Sequence, residues 1–128
     1  MAHESEGLVL ERPTLALGVE AVLSGAVDAR YWIAEQAGQP KGMLMTVPEW
    51  SDWRNGTVLW VHSVYVDPVV RRRGVFAAMY EHLRNMVELS SDLMGLRLYV
   101  DKGNESAQGV YEAMGMTREH YHLYEWLK

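Results

Sequence analysis

The segment Thr57–Val66 is dense in Val, Trp and Tyr and stops at Asp67-Pro68. Val69-Val70-Arg71-Arg72-Arg73-Gly74 follows, and then Val75, Met79, Leu83, Met86 and Val87 recur at helical spacing. This succession constrains the fold more than any other part of the chain. β-Branched and aromatic residues favour a pleated, half-buried strand, and the apolar spacing after the loop predicts a helix of about four turns. Leu96–Val100, bounded by Gly95 and Asp101, reads as the next strand. Two strands joined through a helix cannot be antiparallel neighbours on a tight turn, so the unit from Val58 to Val100 is expected to be parallel and right-handed.

The flanking segments extend the pattern. Pro13, Leu15, Val19, Val22 and Leu23 read as a short amphipathic helix with proline in its first turn and Gly25 near its end. Residues 30–36 and 42–48 read as strands of a hairpin across Gly38-Gln39-Pro40-Lys41, and Ser51–Gly56 is the next turn. Ala107, Val110 and Met114 mark a third helix closed by Gly115, and the aromatic-rich Met116–Leu127 reads as a terminal strand. The expectation is one domain over residues 1–128, of α/β class, with a mixed, partly parallel twisted sheet and flanking helices.

Composition removes several function classes. The 128-residue chain contains no cysteine, which excludes disulfides and thiolate chemistry. Its formal net charge of −5 argues against nucleic acid as a partner. No run is apolar enough to span a bilayer, and Met1–Gly7 lacks the pattern of a signal peptide, so a cytoplasmic protein without a membrane partner is expected. His120 and His122 share a strand face, but no third ligand accompanies them and no metal is expected.

The basic loop carries the chemistry. A buried strand that opens through a glycine into a helix aims several unpaired N–H groups at one spot, where the helix dipole adds positive charge. Gly74 permits close backbone approach and Arg71, Arg72 and Arg73 can donate to phosphate. On this segment alone, a phosphate site and a solvated basic turn are equally good readings.

Further down the chain, Leu98 and Val100 are followed at regular spacing by Asn104, Ala107, Tyr111 and Gly115. Together with Arg71, Gly74 and Phe76 in the loop, this pattern resembles the GNAT superfamily of acyl-CoA-dependent N-acetyltransferases. The resemblance covers roughly residues 8–128, and the turn Glu49-Trp50-Ser51-Asp52-Trp53-Arg54 is similar to that of a bacterial subgroup with small-molecule substrates. Two departures stand out. Phe76 occupies a position that the family usually fills with Gly or Ala, and Met1–Gly7 looks like the tail of a longer first helix, with no strand before it. Residues 30–36 are then an unpaired sheet edge, so the expectation is either a natural protein longer than this chain or an edge covered by another subunit in a homodimer.

The resemblance implies acetyl-CoA as cosubstrate and direct attack by the amine of a small cationic or amino-acid-like acceptor. It places the pyrophosphate on Arg71, Arg72, Arg73, Gly74, Val75 and Phe76, and the pantetheine on backbone amides of Val64, Tyr65 and Val66 at a strand bulge. Asn104 would hold the pantetheine arm, cap a helix, or both. Tyr111 is the candidate acid, protonated at neutral pH, or else a core tyrosine. His62 is the candidate base, or else a satisfied strand histidine, with Glu49, Asp52 or a water chain the alternative bases. Glu49, Trp50, Asp52 and Trp53 are candidate acceptor-binding groups, with turn chemistry the competing role of Asp52. Two other functions keep the same fold: acyl-CoA binding without turnover, and assembly through residues 30–36.

Overall fold

The computed structural model describes residues 10–128, so the expectation placed on Met1–Gly7 lies outside the described residues. The chain runs α1 (Arg12–Leu23), β1 (Arg30–Gln36), β2 (Gln39–Ser51), β3 (Gly56–Val66), α2 (Val75–Leu89), β4 (Leu93–Leu98) and α3 (Glu105–Ala113). A short 3₁₀ turn over Pro68–Val70 separates β3 from the basic loop. The four strands form one sheet in sequence order, antiparallel from β1 to β3 and parallel between β3 and β4. This is the mixed, partly parallel sheet with flanking helices that the sequence predicts.

Local chemistry explains the connections. Ala37 and Gly38 both adopt positive φ (52° and 77°), the two-residue geometry that matches the twist of an antiparallel hairpin. The turn is therefore tighter than the expected Gly38–Lys41, and Gln39 and Pro40 already belong to β2. At the other end of β2, Gly56 has no room for a side chain. A Cβ there would lie 2.6 Å from Met94 Cγ and 2.9 Å from the Asp92 carbonyl oxygen. That close approach lets the Thr57 N–H donate to Asp92 O at 2.8 Å and starts the parallel pairing.

The core lies on one face of the sheet. Leu44, Val61, Met79 and Leu83 are buried together, with Trp32, Val64, Val66, Phe76 and Leu96 among the side chains packed around them. Val75, Met79, Leu83 and Met86 come from the stripe foreseen at helical spacing, and α2 adds Phe76 and the buried Tyr80 beside it. α1 leans on the opposite face and contributes no buried residue.

Two expectations are corrected. β4 spans Leu93–Leu98 rather than Leu96–Val100, because the contact with Gly56 brings it into the sheet early and Tyr99 leaves it. Met116–Leu127 forms no strand. After Gly115 (φ 90°) the chain runs without regular structure to its end, with Tyr124 93% and Trp126 88% exposed. Aromatic content favours a strand only where a ladder and a packing surface receive it. This segment is instead tied down by side chains. Arg118 donates to Gln108 Oε1 at 2.8 Å and lies 3.4 Å from Glu112, and Tyr121 stacks on Arg97 at 5.7 Å.

Leu83 is 1% exposed at the centre of the α2–sheet contact. Leu83→Ala is expected to lower unfolding free energy by about 2–5 kcal/mol, read from the midpoint shift in urea at constant slope.

Candidate active site

The ladder between β2 and β3 slips by one residue near the end of β3. Met45 faces His62 and Met43 faces Tyr65, so Leu44 alone opposes the Ser63-Val64 pair. This is a β-bulge, and Ser63 takes φ 53° to accommodate it. The side-chain alternation changes accordingly: Val61, Val64 and Val66 all pack against the core, so His62 and Ser63 together project to the opposite face. On that side Met45 lies directly across from both His62 and Tyr31.

Beyond the bulge β3 also parts from β4. Val61 opposite Leu98 is the last parallel pair, so the β4-facing side of His62–Val66 has no ladder partner among the described residues. The bulge and splay implied by the family resemblance are therefore present. They leave backbone donors and acceptors exposed along one short stretch of strand.

The unpaired stretch leads straight into the basic loop. Arg71 bends back, its Nε donating to Val66 O at 3.0 Å and its guanidinium lying 5.7 Å from the Tyr65 ring centroid. It ties the loop to the strand end, while Arg72 and Arg73 are exposed. Arg72 and Gly74 both adopt positive φ, and Gly74 is the N-cap of α2 with no side chain capping the first turn. The first-turn amides of Val75 and Phe76 thus lack an intrahelical acceptor. Space above Gly74 is open, with no atom within 4 Å of where a Cβ would sit. Converging amides, positive dipole and open approach suit a diphosphate. Phe76 turns its side chain inward to the core and to Tyr111, with ring centroids 5.5 Å apart, so its bulk does not obstruct the loop.

α3 brings in the next two candidates. Asn104 caps it, Oδ1 accepting from the Ala107 N–H at 3.1 Å, which leaves its amide nitrogen available. Tyr111 stands against Phe76 on the α2 side of the sheet, and burial raises its phenol above the ordinary 10.0. His62 sits on the other face, with ring centroids 6.1 Å from Tyr99 and 6.3 Å from Trp60. Burial lowers its imidazole below the ordinary 6.5, so it is neutral at pH 7. A phenol and an imidazole, each favoured in its neutral form by burial, thus stand on opposite sides of the sheet.

The turn residues are placed elsewhere. Glu49 opposes Val58, six positions before Val64, which at the rise of an extended strand is roughly 20 Å from the bulge. Its carboxylate pairs with Arg97 at 2.9 Å. Asp52 Oδ1 accepts from the Trp53 N–H at 3.0 Å, an ordinary turn bond, and Trp50 and Trp53 are largely exposed. These four share a cleft of about 970 Å³ with Tyr111 along the outer edge of β4, but the hairpin that carries them points away from the bulge. Two groups that sequence reasoning missed are Ser63, turned outward by the bulge, and Arg97, held between Trp60 (5.9 Å) and Tyr121 (5.7 Å). The signal for Ser63 was available: two consecutive polar residues in a strand whose apolar positions fall at 61, 64 and 66. Among the described residues, no cluster of three His, Cys, Asp or Glu could hold a metal, and no helix is long and apolar enough to cross a membrane.

Known proteins share this fold. The chain is 36% identical to a possible acetyltransferase from Clostridium difficile 630, with a TM-score of 0.90 over 99% of this chain and 84% of that one. AAC(6')-Iy, solved with the bisubstrate analogue CoA-S-monomethyl-acetylneamine, shares the fold at 17% identity and a TM-score of 0.73, over 100% of this chain and 87% of its own. A mycothiol acetyltransferase from Thermobispora bispora is 35% identical over 95 residues, covering 70% of this chain; the chain spans 30% of that relative's length. Residues 8–116, from the start of α1 past the bulged strand, the basic loop and the Asn104–Tyr111 helix, match the family profile, and the chain belongs to the acetyltransferase (GNAT) family.

Proposed function

We propose that the chain transfers an acetyl group from acetyl-CoA to the amine of a small acceptor that is cationic at neutral pH. The observation that carries this reading is the continuity of two features, an unpaired, bulged strand end and an uncapped helix N-terminus joined by the Arg71–Gly74 loop. One long ligand with a diphosphate at one end and an amide-containing arm at the other would satisfy both. The bisubstrate complex of AAC(6')-Iy supports the assignment of that ligand as CoA.

In this reading the first-turn amides of Val75 and Phe76, the Gly74 backbone and the Arg72 and Arg73 side chains hold the diphosphate. The backbone groups of Val64–Val66 that lack a ladder partner, apart from the Val66 carbonyl held by Arg71, and the Asn104 amide nitrogen hold the pantetheine arm. When bound, acetyl-CoA supplies an activated acyl carbon and a sulfur leaving group that requires a proton. Tyr111 carries that proton, and its burial keeps it protonated well beyond neutral pH. His62, neutral because burial disfavours its charged form, accepts a proton from the acceptor ammonium on the other face. The Phe76 ring against Tyr111 fixes the phenol's position and excludes water around it.

Calorimetry with acetyl-CoA and a thiol-release assay over an amine panel test the two halves of this proposal. Gly74→Ala places a side chain at φ 84° over the open approach and is expected to weaken acetyl-CoA binding about tenfold or more. Unchanged affinity would remove the loop from the site.

Tyr111→Phe should lower kcat by about a hundredfold with acetyl-CoA affinity retained; full turnover would assign the acid elsewhere.

For His62 the sign follows from its lowered value. The base is present above the folded-state pKa and lost as pH falls through it. The acidic limb of kcat/KM should therefore lie below pH 6.5 and disappear in His62→Ala.

A further inference from the structure

A second cavity, of about 570 Å³, lies between α1 and the sheet on the face that carries His62. Leu15, Val19, Val22, Tyr31 and Met45 make its walls apolar, Glu11 stands at its exposed rim, and Ser63 closes its inner end. Its size is ordinary for a small-ligand pocket.

Ser63 is the unusual member. Its φ of 53° is a conformation that glycine adopts at no steric cost and serine adopts under strain. Its hydroxyl has no hydrogen-bond partner among the described residues, so no bond to the protein offsets that strain. The bulge places this hydroxyl beside His62, at the point where β3 parts from β4. Gly18 adds a second peculiarity. It lies within α1 on the wall of the cavity, and nothing is within 4 Å of its Cβ position, so the helix leaves space where any other residue would fill it. Glycine weakens a helix interior, and here it keeps the cavity open.

We propose that this cavity is the acceptor site and that it selects a primary amine carried on an apolar body, such as an alkyl or arylalkyl chain. The inference rests on the acetyl-transfer reading and names its substrate class. The apolar body lies between Leu15, Val19, Val22 and Met45. The ammonium end donates to Ser63 Oγ and passes a proton to His62, leaving a neutral nitrogen at the splay. Glu11 at the rim attracts the cation and disfavours amines that also carry a carboxylate, such as free amino acids.

Hexylamine and phenethylamine, compared with spermidine and free amino acids, are the probes. The expected result is a kcat/KM for the apolar amines at least tenfold above the others. Gly18→Leu starts a side chain from a Cβ position with no atom within 4 Å and is expected to fill the cavity, raising KM for hexylamine tenfold or more with acetyl-CoA affinity unchanged. Ser63→Gly removes the hydroxyl and relieves the strain, so it should keep or raise Tm while lowering kcat/KM for hexylamine. Equal use of spermidine and hexylamine, indifference to Gly18→Leu, or full activity of Ser63→Gly would overturn the proposal. Calorimetric binding of hexylamine to the CoA-loaded protein separates the two ideas. Binding that Gly18→Leu abolishes, without any thiol release, would defeat acetyl transfer and uphold the cavity. Absence of amine binding would defeat the cavity itself.

Discussion

One extra residue in β3 organises the functional end of this molecule. In a regular strand His62 and Ser63 would point to opposite faces, and one of them would enter the core. Because Leu44 spans the Ser63-Val64 pair, Val61, Val64 and Val66 all reach the core, and both polar side chains turn outward. The same irregularity coincides with the end of the β3–β4 ladder after Val61. Exposed backbone, a basic histidine position and a free hydroxyl thus arise together from a single slip in register. The strain at Ser63 is the local cost, and the surrounding valines hold it in place.

In the proposed mechanism the two faces of the sheet divide the chemical labour. Tyr111 stands against Phe76 on the side of α2 and α3, and His62 projects on the side of α1. Partial burial acts on both in the same sense, favouring the neutral form of each. A neutral phenol is a donor and a neutral imidazole an acceptor, so one physical effect prepares opposite roles. Neither group depends on an ion pair, and salt should perturb their protonation little.

Much of the fold was legible because its elements are locally consistent. Apolar spacing in α2, β-branched density in β3 and the Ala107–Tyr111 helix each agree with their final surroundings. The strand–loop–helix succession was legible because Asp67-Pro68 ends the strand and Gly74 opens the helix, whereas a role for the loop needed the Asn104–Tyr111 pattern beside it. The terminal segment was misread because its aromatic content promises a strand, whereas a strand also needs an available ladder. The acceptor role expected of Glu49, Trp50, Asp52 and Trp53 rests on charge and tryptophan at a turn, and a sequence shows neither distance along a strand nor which end of a sheet a turn occupies. Glu49 looks close to the site in the sequence, yet the hairpin carries it to the far end of the sheet. Gly18 was passed over because a residue name does not reveal unoccupied volume, and Ser63 because two consecutive polar residues in a strand were not read as a bulge.

The parallel junction of β3 and β4 also has a kinetic meaning. Its pairs join residues 57–61 to residues 93–98, so the whole of α2 must be placed before they can meet. The β1–β2 and β2–β3 hairpins close over short loops and can form early, whereas this contact must first overcome the entropy of a long closure. The splay exists only once that late contact is made. The part of the protein that would handle substrate is therefore among the last to be assembled as the chain folds, and a newly made hairpin sheet has no such site until its helix has crossed over.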